Sequence, residues 1–160
     1  MILERRKTKD LSRLALARFA NKAQRVAGLA GEVNILLTGD SEIQRLNLQF
    51  RRKDKPTDVL SFPSGTPPEG GDIAISLQTA RAQANEIGHD LLTEVKVLIL
   101  HGMLHLAGHD HETDRGQMLK LECNLRTQLN LPAGLIERSA IDKPVRRVNG
   151  KAPRPAGVRT

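Results

Sequence analysis

The chain has 160 residues, 39% hydrophobic and 27% charged, with a formal net charge of +7. That length suits one domain with a core of its own. No apolar run reaches the roughly 18 residues a membrane span needs, and the single cysteine, Cys123, excludes a disulfide framework within the chain.

The positive balance points to a polyanionic partner, nucleic acid being the commonest; a solubilising surface is the plain alternative. Only three residues are aromatic, all Phe. The core must therefore be Leu, Ile, Val and Ala, and the chain is expected to lack the aromatic shelf on which many single-strand binders stack bases. Cys123, in LECNL, reads as a small buried hydrophobe. The opening MILERRKTKDLSRL has no apolar h-region, so it is not read as a secretory signal, and Glu4 and Asp10 weaken a transit-peptide reading. A cytoplasmic protein is expected.

In chain order, residues 8–28 predict an amphipathic helix with Leu11, Leu14, Ala15, Phe19, Ala23 and Val26 at helical spacing and Gly28 as its end. EVNILLTG (32–39) predicts a strand. SEIQRLNLQFR (41–51) predicts a helix capped by Asp40 or Ser41. RRKDKP (51–56) reads as a loop, TDVLSFP (57–63) as a strand and SGTPPEGG (64–71) as a flexible connection. DIAISLQ (72–78) reads as a strand running into a helix over about 77–88. TEVKVLILHGMLHLAG (93–108) predicts a helix with Thr93 as N-cap, Glu94 at the positive end of its dipole and Gly108 as its stop. That helix is apolar nearly all round, the mark of a central, buried element. A last helix is expected at about 114–129, with Met118, Leu121, Leu125 and Leu129 on one face. Periodicity is lost from Pro132, and RRVNGKAPRPAGVRT (146–160) has the composition of a disordered basic tail. No internal repeat is present. Strands alternating with helices give a small mixed α/β or α+β domain around one buried helix.

Four of the five histidines fall in HGMLHLAGHDH (101–111). His101 and His105, four apart on the buried helix, share one face. Gly108 breaks the helix, and His111 follows closely enough to supply a third ligand. Three neutral imidazoles with one open position describe a catalytic zinc site. The metzincin protease pattern H-E-x-x-H-x-x-G-x-x-H has the same offsets, but Gly102 stands where those enzymes carry their general-base glutamate. Its absence argues against peptide hydrolysis by their mechanism. A mid-helix glycine costs on the order of 1 kcal/mol against alanine, a hint that something approaches the backbone closely there. Imidazoles buried without partners are costly, which weighs against a purely structural cluster. His109 is a rival ligand, since 101, 105 and 109 would share a face if the helix continued; the break at Gly108 favours His111. His89 reads as a loop histidine.

Three blocks carry a resemblance. HGMLHLAGHDH resembles the signature HGxLHLxGxDH of the bacterial rRNA-maturation endoribonucleases of the YbeY type. RRKDKPTDVLSFP (51–63) resembles that family's second hallmark and GDIAIS (71–76) its third, and the resemblance runs in order from about residue 32 to 130. It implies a zincin-like α+β fold, with a small mixed sheet of about four strands around the metal-bearing helix. It implies one zinc ion per chain on His101, His105 and His111. The implied activity is metal-dependent cleavage of single-stranded RNA, in maturation of the 3′ end of 16S rRNA and in ribosome quality control. Ribosomes or ribosomal proteins are the implied partners; neither DNA nor membrane is expected. Arg51, which opens the second block, takes the family's role in catalysis or substrate binding; without the resemblance it would read as a solvated loop charge. The sequence departs from the family in its long basic tail and in His109, where the family often has Tyr. The expected organisation is one endoribonuclease domain over 1–140 and a disordered basic tail over 141–160.

Zinc lowers the pKa of bound water or polarises a phosphoryl oxygen, and Arg51 suits two-pronged binding of a phosphate. Lys53 and Lys55 read as backbone contacts or surface charge, Asp54 as ordering its loop, Asp58 and Asp72 as capping or turn residues, and Asp110 as a partner that orients an imidazole. The general base is unassigned, and attack by activated water or by the RNA's own 2′-hydroxyl both stay open. Two other classes compete: a metal-dependent hydrolase of another substrate, such as a peptide, and a ribosome-associated assembly factor whose zinc is structural. Structural sites usually have four protein ligands, so three histidines favour the open, catalytic kind.

Overall fold

The structure, a computed structural model, describes residues 1–5 and 8–141. The basic tail expected from 141 lies, beyond Ile141, outside the described residues. The elements are β1 (Ile2–Glu4), α1 (Arg13–Val26), β2 (Val33–Thr38), α2 (Asp40–Arg51), β3 (Val59–Pro63), β4 (Gly71–Ser76), α3 (Leu77–Ile87), α4 (Leu91–Leu106), α5 (Gln117–Gln128) and α6 (Leu135–Ile141). One mixed sheet has the order β1-β2-β4-β3. β1, β2 and β4 run parallel, and β3 is antiparallel to β4. The expected α+β architecture with a four-stranded mixed sheet is what forms.

Alternation along the strands sorts side chains to the two faces. Val33, Ile35 and Leu37 of β2, with Ile73 and Ile75 of β4, enter the main core beside α1 and α4. Ala74 and Leu60 face the other way and meet Ile43 of α2 in a smaller cluster. α4 runs through the main core, packed between the sheet and helices α1, α3 and α5, and Val95, Leu98, Ile99, Met103 and Leu104 have no exposed surface. This is the physical meaning of a helix without a polar stripe.

Local details depart from the sequence expectations. α1 begins at Arg13, not at residue 8, because Ser12 Oγ accepts the Ala15 N–H (3.2 Å) and caps it. The stripe that follows is Leu16, Phe19, Ala20 and Ala23, and Leu14, expected on it, is 61% exposed. Gly39, not Asp40 or Ser41, is the N-cap of α2. Asp40 instead accepts hydrogen bonds from the hydroxyls of Ser76 and Thr79, tying α2 to the start of α3. Asp90, not Thr93, caps α4, accepting the Thr93 N–H at 2.7 Å. Glu94 is fully buried and does more than complement a dipole: it accepts from Arg138 Nη1 (3.1 Å) and pairs with His89 Nε2. His89 does lie in the α3–α4 loop, half-buried by that contact. Cys123 is only half-buried, its thiol 3.7 Å from Glu137 Oε2. β1 and α6 have no counterpart in the sequence reading. Three residues are too few for a detectable alternation, and α6 is a seven-residue helix in a region without sustained periodicity.

Candidate metal centre and cleft

α4 carries His101 and His105 on its last turns and then stops. Gly108, at φ 95°, adopts the left-handed conformation that ends the helix. The His109 N–H returns to the Leu104 carbonyl (3.1 Å) and the Gly108 N–H to His105 (3.0 Å), a Schellman closure. The following turn is tied by the Thr113 and Asp114 N–H groups to the Asp110 carbonyl (3.2 and 3.0 Å). It swings His111 back over the end of α4.

The three rings meet at centroid separations of 4.8 Å (101–105), 5.2 Å (101–111) and 5.3 Å (105–111). One nitrogen from each lies within 4.8 Å of the others, and Nε2 of His101 is 3.1 Å from Nε2 of His105. Nδ1 of His111 is buried and has no hydrogen-bond partner. Burial, reinforced by the neighbouring imidazoles of His101 and His111, pushes His105 down to about 4, so it is neutral at physiological pH. Three ring nitrogens within 4.8 Å of one another, one buried nitrogen without a partner and a ring that resists protonation fit a metal ion with nitrogen preference. Among the described residues no Asp, Glu, Cys or fourth His joins the group. His109 borders the same cleft but is not part of the cluster.

Asp110 does not orient an imidazole. Its carboxylate accepts the Glu112 N–H (3.0 Å), a bond that holds its pKa below the usual carboxylate value. The orienting carboxylate is Glu122, on α5. Its Oε1 lies 3.0 Å from His101 Nδ1 in a buried contact, and its Oε2 accepts the Ile136 N–H (3.0 Å). Gly134 leaves room for it: a Cβ there would stand 2.6 Å from Glu122 Oε2. With Nδ1–H donated to Glu122, the lone pair of His101 is left on Nε2, towards the other rings. Glu122 lies outside the histidine motif, yet the sequence carries a signal for it. Met118, Glu122, Leu125 and Leu129 are spaced i, i+4, i+7 and i+11, and all four are buried. A glutamate in an apolar stripe has a partner inside.

The close approach implied by Gly102 comes from the sheet. A Cβ at this position would lie 3.0 Å from Ile73 Cγ2 and 3.1 Å from Ser61 Oγ, and Ser61 Oγ donates to the Gly102 carbonyl (3.2 Å). The glycine lets α4 seat against β3 and β4.

A cleft of about 920 Å³ opens over the histidines, and Arg51 and Asp58 also line it. Arg51 ends α2, and residues 51–56 after it are exposed, so Arg51, Arg52, Lys53 and Lys55 form a cationic edge. Asn47 Nδ2 holds this loop through the Lys55 carbonyl (2.8 Å), and Asp54 accepts from Gln44 (2.9 Å), ordering the loop as expected. Asp58 accepts the Val59 N–H (2.8 Å) and a hydrogen bond from Gln83 (3.1 Å). Asp72 accepts from Asn34 across β2 and β4 (3.1 Å). Both are turn and strand fixtures.

Residues 2–130 match the model of the family described as Endoribonuclease YbeY. The chain belongs to this family. A YbeY endoribonuclease of Koribacter versatilis is 50% identical over 147 residues, 92% of this chain and 95% of that one. One from Solibacter usitatus is 54% identical over 134 residues, 84% and 90% of the two chains. A Thermotoga maritima protein solved in solution superimposes with a TM-score of 0.58 at 29% identity, covering 81% of this chain and 89% of that one. Ile136, whose amide holds Glu122, lies beyond the residues that the family model matches but within the span shared with the Koribacter versatilis relative. Among the described residues no helix is long and apolar enough to cross a membrane.

Proposed function

We propose that the chain is a zinc-dependent endoribonuclease that cleaves single-stranded RNA in maturing the 3′ end of 16S rRNA and in ribosome quality control, in the cytoplasm and in contact with the ribosome. Residues 1–140 form the catalytic domain and 141–160 a basic extension. The observation that carries this reading is the convergence of His101, His105 and His111 at the floor of a cleft edged by Arg51. Membership of the endoribonuclease family supports it.

His101, His105 and His111 hold one zinc ion; when bound it supplies Lewis acidity towards a phosphoryl oxygen or water. Glu122 keeps His101 in the tautomer with Nε2 free. The low pKa of His105 keeps that ring unprotonated, so a proton does not compete for this ligand at neutral pH. Arg51 grips a phosphate and offsets charge that develops on it. Arg52, Lys53 and Lys55 follow the RNA backbone, so affinity falls steeply with salt. A cluster of three histidines with no fourth protein ligand among the described residues favours an open site over a structural zinc.

The test pairs bound-metal analysis with cleavage of a single-stranded RNA by wild type, His101→Ala and Arg51→Ala. One zinc per chain in wild type, with cleavage lost in both variants, supports the reading. Wild-type cleavage no greater than that of the variants refutes it and leaves a ribosome-associated assembly factor. The product ends then separate the routes: a 2′,3′-cyclic phosphate marks attack by the 2′-hydroxyl.

A further inference from the structure

The chain has three aromatic side chains, too few to suggest a surface for bases. The fold nevertheless brings two of them together at the cleft. Phe50, the penultimate residue of α2, and Phe62, in β3, meet edge to face with centroids 5.1 Å apart and planes at 61°. Both line the cleft that holds the three histidines, as does Arg51. The third, Phe19, is buried in the main core.

We propose that Phe50, braced by Phe62, is the platform on which one nucleobase of a single-stranded RNA stacks while the adjoining phosphate lies over the histidine cluster. The proposal rests on the reading of this cleft as the RNA-cleaving site.

An exposed apolar side chain is ordinary by itself. Leu48, on the same helix, is 48% exposed and lies outside the cleft. Phe50 is 59% exposed, and its place in the cleft sets it apart. Its contact with Phe62 restricts the ring, so less rotamer freedom is lost when a base settles on it. Arg51, the next residue, carries the charge that a phosphate needs, so base and backbone are addressed by neighbouring positions. A single platform has two consequences. Every base has a π-face, so the contact tolerates any sequence. Bases within a duplex are already stacked on both faces, so only an unpaired one reaches Phe50, and single-strand preference follows from geometry.

The test uses the full chain loaded with zinc. Phe50→Ala is compared with wild type, with Phe50→Trp and with the control Leu48→Ala, on one single-stranded oligoribonucleotide and on a series with one abasic position each. Melting temperatures establish that each variant is folded. Phe50→Ala is expected to raise KM roughly fivefold to a hundredfold, the usual range for loss of one base–aromatic stack, with a smaller change in kcat. Phe50→Trp and Leu48→Ala are expected to stay near wild type. One abasic position is expected to weaken wild type by a similar factor and to cost Phe50→Ala nothing more, a coupling that a merely structural role would not produce. The natural chain has no Trp or Tyr, so Phe50→Trp also installs a single fluorophore, whose emission should change when RNA is added to the metal-free protein. Wild-type KM in Phe50→Ala, or undiminished abasic losses in that variant, overturns the platform while leaving the nuclease reading intact. A wild type that neither binds nor cleaves single-stranded RNA overturns both.

Discussion

Replacing Glu122 by Gln alters one oxygen yet should weaken metal binding strongly. In the native site one carboxylate oxygen takes the Nδ1–H of His101 (3.0 Å) and the other takes the Ile136 N–H (3.0 Å). An amide has one oxygen and one NH2 group. If the oxygen keeps Ile136, the NH2 faces His101 Nδ1, which can then only accept. The ring proton moves to Nε2, the nitrogen that lies 3.1 Å from His105 Nε2, and the lone pair for the metal is lost from the cluster. In the metal-binding tautomer of the variant, Nδ1–H faces an NH2 donor and lacks the charge-assisted bond of the native site, worth about 1.5–3 kcal/mol. That is a loss of about 10- to 150-fold in affinity, in line with the roughly 10- to 100-fold range for removing such partners. Zinc affinity is measured by competition with a chromophoric chelator at pH 7, with circular dichroism as the check on fold. A folded Glu122→Gln that binds zinc within about threefold of wild type would refute the argument that the carboxylate sets the tautomer.

Three further outcomes are expected. Zinc at a hundred times its dissociation constant should stabilise wild type by about 2.7 kcal/mol, or roughly 5–11 °C in melting temperature for a chain of this size; a chelator should reverse the shift, and His105→Ala should show none. Gly102→Ala gains about 1 kcal/mol of helix propensity but presses on Ile73 and Ser61, an overpacking cost of about 1–3 kcal/mol. A net fall of a few degrees in melting temperature is expected, and an unchanged or raised one would show that the sheet yields. Asp90→Ala removes the cap of α4 and should cost about 1 kcal/mol. The hydrogen bonds from Thr93 hold the Asp90 carboxyl below its ordinary value, so its contribution is complete above the unfolded pKa of about 4 and lost as pH falls through the lower folded value. The gap in denaturant midpoint between wild type and variant should therefore be full at pH 7 and narrow in acid; a gap that widens there would be contrary.

The metal cluster was legible because it obeys helical arithmetic. A spacing of four places His101 above His105 whatever the surroundings, and Gly108 marks where the chain turns. The central position of α4 was legible for a similar reason, since a helix without a polar stripe has no face to give to water. The choice of His111 over His109 was less direct; it depends on a loop whose path is set by the hydrogen bonds around Asp110. Asp110 departs from its expected role because proximity in sequence to two histidines says nothing about which way its side chain turns.

Local periodicity carries five of the six described helices, three of the four described strands, the metal-ligand spacing and the cationic loop after Arg51. What lies across the chain from these is set by packing between elements. Glu122 reaches His101 from 21 residues away, Ile73 and Ser61 explain Gly102, and Phe62 meets Phe50 over the cleft. The physical reason is common to all three. Helix and strand periods fix which neighbours share a face, whereas a partner on another element is chosen by how the faces pack, and that choice belongs to the folded core as a whole.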